Sequence, residues 1–270
     1  MKTTSVKSAS GKIVCYQSSG SGPTIVLVHG NSASSKAFAR QLNSPLGARH
    51  RIIAFDLPGH GASDDAADPT LYGMTGYASV LTDVVRHFGI DDAVFAGWSL
   101  GGHIVLQAAP DLPHAKGFVI FGTPPLGSPP AMERAFLPHP AMAFTFAREL
   151  NEEQARAYVA AAFRPGVTEL PPTMIADVLR TDGRARAQLM VASTPPPRDQ
   201  VEVVANLKQP LAVLHGAQEQ LINGAYFSEL RMPTLWRGQV QIIENAGHLP
   251  QWEQPDTFNM LLDAFVGEAA

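Results

Sequence analysis

Val94-Phe95-Ala96-Gly97-Trp98-Ser99-Leu100-Gly101-Gly102-His103 is the stretch on which the rest of the chain turns. Its apolar start, from Ala93 to Ala96, predicts a buried strand, and the residues from His103 to Ala109 predict a helix. Gly97, Gly101 and Gly102 bracket Ser99 at the junction. A serine between strand and helix, with only small residues around it, is the pattern of a sharp turn that displays a nucleophile. Bulky flanking side chains would clash there with the adjoining strand and helix. The turn exposes Ser99 Oγ above a sheet and aims the Leu100 N–H, at the helix start, towards an oxyanion formed beside it. A glycine-rich turn in many α/β folds has the same string, so the other segments must decide.

Working outward, residues 3–8 and 12–17 predict an opening hairpin. Thr24 to His29 is a continuous β-branched run, the mark of a strand buried on both faces, and it ends in His29-Gly30-Asn31. A helical stretch from Lys36 to Leu42 precedes the strand Arg51 to Phe55, which runs into the turn Asp56-Leu57-Pro58-Gly59-His60-Gly61. Met74 to Phe88 has helical periodicity, and Lys116 to Phe121 is a further strand. Residues 124–197 then carry proline clusters at both ends and no strand, with helical segments expected near 139–150, 151–163 and 172–192. Alternation resumes with a helix near 198–207, the strand Leu211 to His215, a helix near 224–230, the strand Gln239 to Glu244 and a last helix from Asp256 to Val266. Strands alternating with helices predict an α/β fold with a mainly parallel twisted sheet, which binds ligands at the carboxyl ends of its strands. The expected layout is a core of 1–123 and 198–270 with a helical cap, or lid, over residues 124–197.

A serine hydroxyl needs a base to take its proton, and the base needs a third group to hold its tautomer. Glu219 is the sole carboxylate between Glu202 and Glu229, three residues past Gly216 on the turn leaving a strand. His248 follows the next strand in Ala246-Gly247-His248. Serine, acid and histidine thus come in the chain order Ser…Asp/Glu…His, each just after a strand. His29 is expected to brace the loop beside the nucleophile, His60 and His103 to be structural, and the other histidines to lie at the surface.

These motifs together resemble the α/β-hydrolase fold family over nearly the whole chain. The resemblance implies Asn31 as the second oxyanion N–H donor beside Leu100. The acid in that family is more often aspartate, so Glu219 departs from the commonest form. A narrower likeness rests on Gly97-Trp98-Ser99-Leu100-Gly101-Gly102-His103, Gly122-Thr123-Pro124-Pro125 and a glutamate acid. It is similar to the metal-independent N-acyl-homoserine lactonases, which implies ring-opening of a small lactone, with Tyr158 of the cap assisting. The apolar cap residues predict an acyl-chain pocket, for which Trp98, Phe136, Met142 and Tyr158 are the substrate-binding candidates. A general carboxylesterase, a carbon–carbon bond hydrolase or perhydrolase, and a small-molecule receptor of the same fold are the alternatives. Serine at the elbow argues against the dehalogenases and epoxide hydrolases that carry aspartate there.

Composition narrows the partners. The 270 residues carry a net charge of −4, 45% hydrophobic and 16% charged residues, which gives no basic footprint for nucleic acid or anionic lipid. Cys15 is alone, so no intrachain disulfide forms, and it is expected as an apolar filler of an N-terminal strand. The nine histidines show no metal-ligand spacing, and no cofactor is expected. No apolar run reaches the roughly 18 residues of a membrane span. Without a signal-like start, a cytoplasmic protein is the expectation.

Overall fold

The structure, a computed structural model, describes residues 1–191 and 195–269. Eight strands form one sheet in the order β1-β2-β4-β3-β5-β6-β7-β8. They are β1 (Lys2–Ser8), β2 (Gly11–Gln17), β3 (Gly22–Val28), β4 (His50–Phe55), β5 (Val94–Trp98), β6 (Gly117–Phe121), β7 (Leu211–Gly216) and β8 (Gln241–Ile243). β1, β2 and β4 pair antiparallel as an edge, and every other pairing is parallel. The sheet is therefore mainly parallel, as the alternation of strands and helices predicts.

Period-two alternation sorts the buried strand residues onto two faces. Val26, Val28 and Phe95 pack against the helices Met74–Phe88 and Leu100–Ala108, beside Val80, Leu81 and Ile104. Ile25, Leu27, Ala96 and Trp98 face the other way, towards Phe38, Leu42 and the last helix, Pro255–Ala269. Both faces are covered, which is why the central strands are apolar throughout. Register then places the site. Val28 pairs with Gly97, Trp98 with Phe121, Phe121 with Leu214 and Gly216 with Ile243, so the strand ends lie level and the loops that follow them gather on one edge.

The segment between β6 and β7 holds no strand among the described residues, as expected; the helix expected at 151–163 is present as Glu152–Ala162, but the other two expected helices are shorter or divided. Of 139–150, only Pro140–Phe146 is helical, as a 3₁₀ turn between His139, held extended as the residue before Pro140, and an extended Ala147. The stretch 172–192 is two helices, Pro172–Arg180 and Gly183–Gln188. Thr181 and Asp182 are non-helical between them, and a Cβ on Gly183 would lie 1.6 Å from the Arg148 carbonyl oxygen, so the backbone passes there too closely for any side chain. Ala192, the end of that expected helix, lies outside the described residues. Lys36 to Leu42 divides into the 3₁₀ turn Ser35–Phe38 and the helix Ala39–Leu42, and 224–230 is a 3₁₀ turn, Gly224–Glu229. The helix Pro45–Arg49 has no counterpart in the sequence reading; five residues capped by the Ser44 hydroxyl are too few to show a period. His50 and His215 are buried rather than at the surface, His50 against Asp263 at 2.6 Å and His215 edge-on to Phe227. No described helix is long and apolar enough to cross a membrane.

Candidate active site

Ser99 sits between β5 and its helix with φ 54° and ψ −118°, a conformation rarely adopted by an L-residue. The turn closes only because its neighbours lack side chains. A Cβ on Gly97 would meet the Gly101 carbonyl oxygen at 2.3 Å, and one on Gly102 would meet Thr123 Oγ1 at 2.1 Å. The Ser99 N–H donates to the Phe121 carbonyl at 2.9 Å, and the Ser99 carbonyl accepts from Thr123 Oγ1 at 2.8 Å. Leu100 is the first residue of its helix, so its N–H has no intrahelical acceptor and points out of the turn. Asn31 follows β3 on the adjoining loop and lines the same cavity; its side chain is engaged elsewhere, donating to the Thr145 carbonyl at 2.8 Å.

Glu219 and His248, 29 residues apart, meet on the neighbouring loops. His248 Nδ1 lies 2.8 Å from Glu219 Oε2, and both side chains are buried. A carboxylate only accepts, so whenever the ring is neutral Nδ1 carries the proton and Nε2 the lone pair. Burial raises the Glu219 pKa, but the His248 charge and hydrogen bond, the Leu221 N–H and His215 outweigh it and hold the carboxyl below its ordinary range. The two loops are tied by backbone bonds: Ala217 N–H to the Ile243 carbonyl at 2.9 Å and Gln218 N–H to Ala246 at 2.8 Å. The Trp98 indole N–H donates to the His248 carbonyl at 2.7 Å. Gly122, at φ 60°, passes so close to His248 that a Cβ would lie 2.6 Å from Cε1.

Ser99, Leu100, Asn31 and His248 open onto one cavity of about 770 Å³, with Trp98, Phe136, Met142 and Tyr158 also in its wall. Of the other apolar residues in the segment between β6 and β7, Met132, Phe146 and Met174 line it, whereas Leu137, Phe144 and Phe163 do not. Glu219 stands behind His248 and outside the cavity wall, as an orienting group would. Burial pushes the Tyr158 phenol above its ordinary pKa, against a hydrogen bond from Thr145, so it stays protonated. His29 braces the loop as expected: Nδ1 lies 2.8 Å from the Gly30 carbonyl and Nε2 accepts from Leu57 N–H. Among the described residues no group of three or more His, Cys, Asp or Glu could hold a metal ion.

The sequence reading misses three buried polar anchors. Glu253 accepts from Gly247 N–H at 2.7 Å, from Arg164 N–H and from Arg164 Nη1, joining the His248 loop to the segment above it. Asp177, in the cavity wall, accepts from Ser34 Oγ at 2.5 Å and Lys36 Nζ at 2.8 Å. Arg186 is spent on the carbonyls of Ala147, Arg148 and Val178.

Residues 25–261 match the model of the Alpha/beta hydrolase family. The chain belongs to that family. Among solved structures, this alpha/beta hydrolase superposes on the N-acyl homoserine lactonase AidH, complexed with N-butanoyl homoserine, with a TM-score of 0.95 at 34% identity, covering 100% of this chain and 98% of that one. It is 25% identical over 265 residues to the pimeloyl-[acyl-carrier protein] methyl ester esterase of Nitrosomonas europaea, covering 92% of this chain and 97% of that protein. The 40% identity to the magnesium-chelatase 30 kDa subunit of Rhodobacter capsulatus extends over 92 residues, 34% of this chain. The alpha/beta hydrolase thus spans about a third of the length of that relative, 32%.

Proposed function

We propose that this chain is a serine hydrolase that opens N-acyl-homoserine lactones, with residues 124–197 as a cap over a core of 1–123 and 198–270. The full-length superposition on a lactonase complexed with N-butanoyl homoserine, at 34% identity, carries the reading. The pairing of His248 with Glu219, on the edge that holds Ser99, supports it.

In the proposed reaction Ser99 Oγ attacks the lactone carbonyl carbon while His248 Nε2 takes the hydroxyl proton. Glu219 holds the imidazole in the Nδ1–H tautomer and stabilises the imidazolium. The N–H groups of Leu100 and Asn31 hold the oxyanion, each contributing about 3 kcal/mol. Collapse breaks the ring C–O bond, and the leaving alkoxide takes the proton from His248, aided by the Tyr158 phenol. The new hydroxyl stays tethered to the acyl-enzyme. Water then gives a proton to His248, attacks the ester and releases the N-acyl homoserine and the Ser99 hydroxyl.

Ring-opening releases one acid equivalent, so base titration at constant pH is the test. Turnover of N-acyl homoserine lactones by the parent, lost in Ser99→Ala and unchanged by exhaustive chelation, is the expected result; turnover by the Ser99→Ala protein would overturn it. A general carboxylesterase is the second reading, favoured by the full-length likeness to a methyl ester esterase. It is preferred if kcat/KM for simple alkyl and aryl esters exceeds that for every lactone.

A further inference from the structure

His103 stands one helical turn after Ser99 and lines the same cavity. Its Nδ1 lies 2.8 Å from Gln200 Oε1. Two backbone groups fix which way that amide faces. The Leu126 N–H donates to Gln200 Oε1 at 3.2 Å, and Gln200 Nε2 donates to the His103 carbonyl at 3.4 Å. An oxygen therefore faces the ring, so Nδ1 carries the proton and Nε2 carries a lone pair. Burial keeps the ring neutral near pH 7, pulling its pKa down against the Gln200 hydrogen bond, and His248 adds to that pull. No described residue is seen to donate to Nε2, and the His103 side chain is part of the cavity wall.

We propose that His103 makes the enzyme selective for acyl chains bearing a hydroxyl, whose O–H donates to His103 Nε2. The proposal rests on the lactone-hydrolase reading. Residues one turn apart are separated by roughly 6 Å. In an N-acyl-homoserine lactone the third acyl carbon lies about five bonds from the scissile carbon, a similar reach. A 3-hydroxyl there supplies the donor that the ring lacks. A 3-oxo group sets a second acceptor against the lone pair and is disfavoured, and an unsubstituted chain leaves Nε2 to water.

The test is calorimetric binding to Ser99→Ala protein of three chain-matched lactones: 3-hydroxyacyl, 3-oxoacyl and unsubstituted. The 3-hydroxyacyl lactone is expected to bind about fivefold tighter than the unsubstituted one, with the 3-oxoacyl lactone weakest. Adding His103→Phe brings the three within about twofold. Adding Gln200→Leu removes the acceptor that holds the proton on Nδ1, lets it move to Nε2, and reverses the order in favour of the 3-oxo chain. Equal affinities in the Ser99→Ala protein, a preference that survives His103→Phe, or an equal loss for all three lactones overturns the proposal. Turnover by the parent enzyme is followed alongside. No turnover with the hydroxyl preference intact overturns the reaction and not His103; turnover with no preference overturns His103 and not the reaction.

Discussion

Ser99 is held in a conformation that costs on the order of 1–3 kcal/mol, and the bonds it makes to Phe121 and Thr123 are what keep it there. The strain serves chemistry only if the imidazole beside it is correctly polarised, which is the task proposed for Glu219. Glu219→Gln keeps the shape of the side chain but can offer Nδ1 an amide N–H as readily as an oxygen, and it removes the negative charge opposite an imidazolium. We expect kcat to fall about 10³- to 10⁴-fold with KM changed little, by steady-state kinetics on one lactone. A loss below tenfold would leave Glu219 without its proposed role. Its candidacy was legible in the sequence, because strand-end placement and chain order single it out between Glu202 and Glu229. Glu253 and Asp177 were not. Glu253 holds Arg164, 89 residues away, as well as nearby Gly247, and Asp177 holds Ser34, 143 away; a buried carboxylate tied to a distant segment leaves no local pattern. His50 and His215 escaped for the same reason, since a single histidine says nothing of the walls that fold around it.

At the level of elements, the β-branched runs made the central strands easy to place, whereas the segment above them defeated periodicity. Apart from Glu152–Ala162 its helices are short and interrupted by proline or by close backbone passes, so its position depends on a few polar anchors. Glu253 joins it to the His248 loop, and Gln220 reaches the Phe163 carbonyl at 2.8 Å from the acid loop. Glu253→Ala strands the Gly247 and Arg164 N–H groups, and is expected to cost about 2–4 kcal/mol in urea unfolding and to lower kcat/KM about tenfold. Glu253→Gln, which retains an acceptor, should recover most of both; unchanged stability in the alanine variant would remove the anchor. A second anchor depends on pH. Asp182 accepts from Tyr72 OH at 2.6 Å and pairs with Arg184, while its own N–H reaches the Gly59 carbonyl. Burial pushes its pKa up, but the hydrogen bonds from Arg184 and Tyr72 prevail and bring it from 3.8 to about 2. A folded-state pKa below the unfolded one adds stability above the unfolded value and loses it as pH falls through the folded one. The contribution, on the order of 1–2 kcal/mol, is therefore full above about pH 5 and fades towards pH 2. Asp182→Asn should melt earlier than the parent at pH 6, with the gap less than half as large at pH 2.5; a gap constant across that range would refute the assignment.

Over the whole molecule, one sheet edge collects four loops and the segment above closes them into a cavity of about 770 Å³, within the range of small-molecule sites. Sequence could name candidates for its reacting groups but not its depth, because which apolar residues between β6 and β7 turn inward depends on how the short helices tilt. Met132, Met142 and Phe136 face it while Leu137 and Phe144 do not. An acyl tail drawn from water into that space gains about 0.8 kcal/mol for each methylene buried, or up to about fourfold in affinity. The lactonase reading therefore requires kcat/KM to climb by about two- to fourfold per carbon from the butanoyl lactone upward, then level off once the tail outgrows the apolar wall. A simple hydrolytic edge open to solvent gives a flat series. Met142→Trp consumes part of the space, so the plateau should come at a shorter chain and the decanoyl-to-butanoyl ratio should drop at least about tenfold, with the butanoyl rate kept within about threefold. A flat series in the parent, or a ratio untouched by Met142→Trp, would show that the tail does not bind in this cavity.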